Sequence, residues 1–279
     1  MGGSVSVVPS LEHVPTLDRS RPDAAPWRGW AGALLDLVFP PFCPVCRARL
    51  EEGRRDPLCG ACWAGLPRIG PPWCRSCGQP MAGFPVAAGA MPPGTVRADG
   101  GPLCAACRRQ PPAFAYARAA VRYEDVAREA LHAFKFGGHR ALAGPLGDLL
   151  VEALEGHLPV GPPELLVPVP LHPGRERERG FNQSRLLARR LARAWGCPVR
   201  DDVLVRAVAT PSQTSLDGAA RRANVRRAFR LRRPELVAGR HVVVVDDILT
   251  TGATLSECAR CLEDAAPRTV GVLAVARVV

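Results

Sequence analysis

The chain is expected to be an α/β protein, with a doubly wound, mostly parallel sheet preceded by a small cysteine-rich module. Apolar runs at 165–170, 242–245 and 270–275 read as parallel strands covered on both faces. Stretches with helical spacing separate them, and such an order favours parallel pairing. The module follows from eight cysteines in four Cys-x-x-Cys pairs, all between residues 43 and 107.

A length of 279 residues accommodates one α/β domain of ordinary size and a smaller module. The expected divisions are a disordered tail at 1–29, the cysteine module at 30–110 and the α/β domain at 111–279. The first 30 residues lack the basic start and apolar core of a signal peptide. No stretch approaches the ~20 apolar residues that span a bilayer. A cytoplasmic protein is expected. Formal net charge is +11, and residues 175–233, with 16 Arg, no Lys and 5 acidic residues, account for all of it. Charge this localised predicts an anionic partner. Arg outnumbers Lys 36 to 1, which singles out Lys135.

In chain order, residues 27–42 suggest a short helix with Trp30, Leu34, Leu35 and Val38 on one face, stopped by Pro40 and Pro41. Cys43, Cys46, Cys59 and Cys62 follow, with twelve residues between the pairs; Cys74, Cys77, Cys104 and Cys107 have 26. Each pair brings two thiolates to one ion across a tight knuckle, and Gly78 suits such a turn. Four thiolates leave no open ligand position, which is the pattern of structural zinc. Two zinc ions are expected, with sequential or interleaved pairing both open. Free thiols, a redox pair or an iron–sulfur cluster are the competing readings. Residues 81–102, rich in Gly, Ala and Pro, read as a loop.

After Cys107 an alternating stretch suggests a strand ending near Tyr123. Glu124–Phe136 reads as a helix with Val126, Ala130, Leu131 and Phe134 on one face, and 142–154 as another. Lys135, beside Gly137 and Gly138, suits a cation presented to a phosphate at a helix end. Pro168, Val169 and Pro170 end the next strand and start a turn. The alternating charges from Arg175 to Arg179 read as a loop at the strand's C-terminal end. Asn182 is the expected N-cap of a helix lined by Leu187, Leu191 and Ala194. Val203–Val205 is expected to be a third strand, and 210–227 a polar, basic loop that turns helical. Cys197, Cys258 and Cys261 read as small apolar residues.

Residues 242–254 carry the chemistry. Four valines lead into Asp246 and Asp247, then Thr250, Thr251, Gly252, Ala253 and Thr254, ahead of a helical stretch at 255–265. In open α/β sheets the C-terminal strand ends face the ligand crevice. Gly252 lets the backbone approach an anion, and hydroxyls and helix-start amides donate to a phosphate. Two carboxylates beside such a loop suit the neighbouring hydroxyls of a sugar phosphate.

This stretch closely resembles the 5-phosphoribosyl-1-pyrophosphate loop of type I phosphoribosyltransferases. Phe39-Pro-Pro-Phe-Cys-Pro-Val-Cys, Pro168-Val-Pro-Leu-His, Arg179-Gly-Phe-Asn-Gln, Thr210-Pro-Ser-Gln-Thr and the Asp246-Asp247 loop occur in that order. Together they resemble the ComF family over residues 30–279. The resemblance implies a double zinc ribbon followed by a type I phosphoribosyltransferase-like domain. It implies that Asp246 and Asp247 bind the ribose hydroxyls and that Thr250 to Thr254 bind the 5-phosphate. It places 168–172, with Val169 and Pro170, in the pyrophosphate loop, and 210–224 in a flexible loop. Lys135, Arg175 and Arg179 join the expected ligand set, with Mg2+ as a second cofactor. Some family members are required for uptake of transforming DNA.

Three functions are in competition. The first is an enzyme transferring ribosyl phosphate, with Asp246 and Asp247 stabilising charge at the sugar ring. The second is a non-catalytic ligand sensor whose basic segment handles single-stranded DNA or a protein partner. The third is a structural module. No base-reading residues are recognisable, so the acceptor is left open.

Overall fold

The computed structural model describes residues 41–50, 56–81, 101–208 and 227–279. The expected tail, nearly all of the helix read at 27–42 and most of the loops read at 81–102 and 210–227 lie outside them. All elements below belong to the unit Phe42–Val279. Two short helices, α1 (Gly60–Ala64) and α2 (Ala105–Arg109), sit within the cysteine module. The chain continues through β1 (Tyr116–Arg122), α3 (Asp125–Phe136), α4 (Ala143–Leu154), β2 (Leu165–Pro168), α5 (Pro173–Arg179) and α6 (Gln183–Trp195). It ends with β3 (Leu204–Arg206), β4 (Phe229–Leu231), β5 (His241–Leu249), α7 (Ala253–Glu263) and β6 (Thr269–Arg277). No helix among the described residues is long and apolar enough to cross a membrane.

The main sheet is parallel, in the order β1-β6-β5-β2. Helices α3, α4 and α6 cover one face, and α7 with the β3–β4 pair covers the other. Val242 to Val245 are fully buried, as a strand with two covered faces requires. The strand outlasts its apolar run. β6 continues beside it, so β5 extends through Asp246, opposite Ala274, to Leu249, opposite Arg277. On its other side β2 pairs only as far as Pro168 opposite Val245, and Val169 N makes the last bond, to Val245 O. Pro170 has no N–H with which to continue. Both carboxylates therefore stand just past the point where β2 leaves β5.

Two sequence expectations are corrected. The expected third strand lies at Leu204–Arg206, outside the main sheet, and pairs antiparallel with β4. Its place beside β2 is taken by a single bridge from Leu166 to Val199. Three residues with only Leu204 buried in the strand are too short and too exposed for a central position. The charged stretch after His172 is helical. His172 Nδ1 accepts from Gly174 N at 3.2 Å, Pro173 sets the first turn, and Gly180 closes α5 at φ 73°.

The cysteine module is built onto the free edge of β1. Arg122 N bonds Pro67 O at 2.8 Å, Ile69 N bonds Ala120 O at 2.8 Å, and Ala117 N bonds Ser76 O at 2.6 Å. An unpaired edge invites association with other chains, and these bonds close it. Gly78 permits the approach: a Cβ there would lie 2.4 Å from Ala117 O. Arg277 fastens the second knuckle, donating to Cys77 O at 2.6 Å and to Gln79 Oε1 at 2.9 Å. Cys43, Leu50, Leu58, Cys62 and Leu66 join the same buried cluster as Leu131, Phe134, Leu150 and Leu187. Across the sheet, the Tyr116 ring passes over Gly271 to bond His241 Nε2 at 2.9 Å.

Candidate functional site

Two sets of groups have the geometry of sites. The first is the pair of cysteine clusters. Cys43, Cys46, Cys59 and Cys62 converge, as do Cys74, Cys77, Cys104 and Cys107, with the Sγ atoms of each set within 4.8 Å of one another. The pairing is sequential, not interleaved. Cys46 and Cys59 sulfurs are 3.5 Å apart, and Cys77 and Cys104 sulfurs 3.7 Å. A tetrahedron with Zn–S near ~2.3 Å places its sulfurs about 3.8 Å apart, so the residues fit zinc. Backbone amides support the thiolates: Cys62 N donates to Cys59 Sγ at 3.4 Å and Cys104 N to Cys74 Sγ at 3.3 Å. The other cysteines stand apart from these clusters. Cys258 is fully buried, and Cys261 Sγ donates to Phe229 O at 3.3 Å.

The second set surrounds Asp246 and Asp247. Asp247 is 4% exposed, and Lys135 Nζ, from the last turn of α3, lies 2.8 Å from its Oδ2. The lone lysine of the chain thus meets a carboxylate on β5. Asp246 Oδ1 accepts from Asp247 N and from Ser184 Oγ, both at 2.9 Å. Burial and the neighbouring Asp247 charge push the Asp246 carboxyl up to about 7; Lys135 and the Ser184 bond oppose the rise. Ser184 was missed by the sequence reading, because nothing local marks a serine whose partner lies 62 residues on.

The loop after β5 leads into α7. Gly252 takes φ 75° as its N-cap residue and has no side chain with which to cap the helix. Ala253 N lies 3.4 Å from Thr251 Oγ1; Thr250 and Thr254 are half-buried on either side. A cavity of about 500 Å³ opens against Thr251, Gly252 and Ala253, walled by Pro111, Pro112 and Glu257. Asp246 and Asp247 are not part of its lining, so cavity and carboxylates are neighbouring features, not one bowl.

The remaining expected residues lie at the end of β2 and on α5. Val169 and Pro170 are buried where β2 ends, and Asn182 Nδ2 donates to Val169 O at 3.0 Å. Asn182 is the N-cap of α6 as expected, accepting from Arg185 N at 3.2 Å. Arg175 and Arg179 lie on α5. Arg179 donates to Gln183 Oε1 at 3.3 Å, its guanidinium 5.0 Å from the centre of the Phe136 ring.

Both parts of the chain have counterparts among known proteins. A double zinc ribbon domain model matches residues 34–92, and a phosphoribosyl transferase domain model matches 181–278. DNA utilization protein YhgH of Escherichia coli O157:H7 is 32% identical over 229 residues, spanning 81% of this chain and 92% of its own length. Competence protein F of Haemophilus influenzae is 28% identical over 240 residues, 84% of this chain and 96% of its own. The solved purine phosphoribosyltransferase of Pyrococcus horikoshii Ot3 covers 48% of this chain and 72% of its own, at 16% identity and TM-score 0.30. That likeness is too slight to add to the assignment. Fold and clusters together define a double zinc ribbon joined to a phosphoribosyltransferase-type domain. The chain belongs to the ComF family.

Because the first ribbon shares the main core, zinc is expected to stabilise the whole unit and not a detachable module. Metal analysis should find two zinc ions per chain, one for each cluster, and Cys104→Ser should remove one. Stripping zinc should lower the melting temperature of one cooperative transition. A separate low-temperature transition, with the rest unmoved, would contradict the shared core.

Proposed function

We propose that the protein binds 5-phosphoribosyl-1-pyrophosphate together with Mg2+ in the cytoplasm. The observation that carries this reading is the carboxylate pair, Asp247 buried and Asp246 half-buried, held by Lys135 and Ser184 ahead of the start of α7 at Gly252. Asp246 Oδ2 accepts no hydrogen bond among the described residues, which leaves it for a ribose hydroxyl. Thr250, Thr251, Thr254 and the first amides of α7 hold the 5-phosphate. Gly252 and Ala253 keep that approach open. Arg175 and Arg179, with the turn at Val169 and Pro170, face the pyrophosphate.

Carboxylate oxygens are the donor class that Mg2+ takes, usually one or two together with ligand phosphates and water. Asp246 fits that role, while Asp247 already faces the Lys135 cation. Asp246 would hold Mg2+ together with the ligand's diphosphate, and the ion would supply neutralisation of that charge. The two carboxylates favour positive charge developing at the sugar ring, and Arg175 and Arg179 favour a departing pyrophosphate. These are the donor-side requirements of phosphoribosyl transfer; the acceptor side has no residues assigned.

Calorimetry with the ligand and Mg2+ tests the pocket. Asp246→Asn and Asp247→Asn should each weaken binding about ten-fold or more, since a hydrogen bond to a charged group contributes about 1.5–3 kcal/mol. No heat and no thermal shift for the unaltered protein would refute the assignment.

A second reading, a non-catalytic role in handling single-stranded DNA or a protein partner, is favoured by the basic segment and by the names of the relatives. The arginine patch is smaller than the charge count suggests. Arg185, Arg190, Arg200 and Arg233 pair with carboxylates, while Arg189, Arg193, Arg230 and Arg232 are exposed. Arg221, Arg222 and Arg226 lie outside the described residues. Affinity for single-stranded DNA should fall with salt, with a log–log slope of about −0.7 per phosphate neutralised. Changing Arg230 and Arg232 to Gln should flatten the slope and spare sugar-phosphate binding; salt-insensitive or absent binding would remove this reading.

A further inference from the structure

Three consecutive polar side chains open α6, and all are buried: Asn182, Gln183 and Ser184 are 5%, 2% and 4% exposed. Buried polar groups need partners, and each of these finds one on a different element. Asn182 bonds the end of β2 through Val169 O. Gln183 accepts from Arg179 on α5 and donates to Lys135 O on α3, at 3.3 and 3.4 Å. Ser184 Oγ donates to Asp246 Oδ1 on β5 at 2.9 Å. A serine in the first turn of a helix ordinarily bonds nearby backbone. This one bonds a carboxylate on the central strand.

We propose that Ser184 is a positioning residue that sets the orientation of Asp246 for the sugar-phosphate ligand. The inference rests on the binding function proposed above. Asp246 Oδ1 takes two donors, Ser184 Oγ and Asp247 N, so the plane of the carboxylate is held and Oδ2 is the oxygen that remains. Gln183, one residue earlier, ties Arg179 and the Lys135 backbone to the same turn, so one helix start registers three of the ligand-facing groups.

The test uses the full-length, zinc-loaded protein, with 5-phosphoribosyl-1-pyrophosphate and Mg2+ titrated calorimetrically and the melting temperatures of all variants compared. Ser184→Ala should bind about ten-fold more weakly at an unchanged melting temperature, as expected for one lost charge-assisted hydrogen bond. Ser184→Thr, which keeps the hydroxyl, should restore most of the affinity, a rescue that a merely structural role would not give. Ser184→Cys, which keeps the shape and weakens the donor, should fall between the two and carries the same comparison if the alanine variant does not fold. Equal affinity of Ser184→Ala and the unaltered protein, or a Ser184→Thr variant as weak as Ser184→Ala, overturns the proposal while leaving the binding function intact. Absence of binding by the unaltered protein overturns the binding function, and this inference with it.

Discussion

Two adjacent carboxylates, Asp247 buried and Asp246 half-buried, stand side by side at one corner of the sheet, and much of the surrounding structure answers to that constraint. Desolvation and mutual repulsion both disfavour their charged forms. The corner exists because β2 ends at Pro168 while β5 runs on beside β6. It is tolerable because α3 brings in Lys135, α6 brings in Ser184, and the backbone of Asp247 turns its own N–H onto Asp246. For Asp246, a folded-state value raised to about 7 from an ordinary 3.8 means that the folded chain binds more protons than the unfolded one between them. Its contribution therefore lowers stability as pH rises through that window, from about 4 to about 7. A fold that keeps such a pair at neutral pH gives up stability at that point, which is the usual mark of a functional site.

The zinc ribbons solve a different problem. A four-stranded parallel sheet has two edges, and β1 forms one of them. Pro67, Ile69 and Ser76 pair along it, and Arg277, at the end of β6, reaches over to Cys77 and Gln79. The Arg277 backbone is itself the partner of Leu249, one residue before the threonine loop. The second knuckle and the strand end that leads into the candidate phosphate loop thus both contact Arg277. Cluster geometry and loop geometry share a support.

What was legible in the sequence was local. Paired cysteines at fixed spacing, four valines before two aspartates, and an asparagine at a helix start each carry their meaning within a few residues. The strand at 242–245 was read correctly and its continuation was not, since Asp246 and Asp247 do not look like strand residues and are kept in the ladder by β6. α5 was hidden because alternating Arg and Glu have no apolar face, and its helical form rests on its caps at His172 and Gly180. The β3–β4 pair joins segments more than twenty residues apart across the masking polarity of 207–228. The Lys135–Asp247 contact was half legible, because the rarity of lysine marked one partner and only the fold supplied the other.

The central claim is that Asp246 must be ionised to receive the sugar phosphate, and proton release on binding tests it most directly. Calorimetric titrations of 5-phosphoribosyl-1-pyrophosphate with Mg2+ would be run in buffers of different ionisation enthalpy. With Asp246 at about 7, binding near that pH should release a fraction of a proton, and the release should fade toward about pH 9. Asp246→Asn should abolish it. Ligand binding with buffer-independent heat across that range would contradict the account.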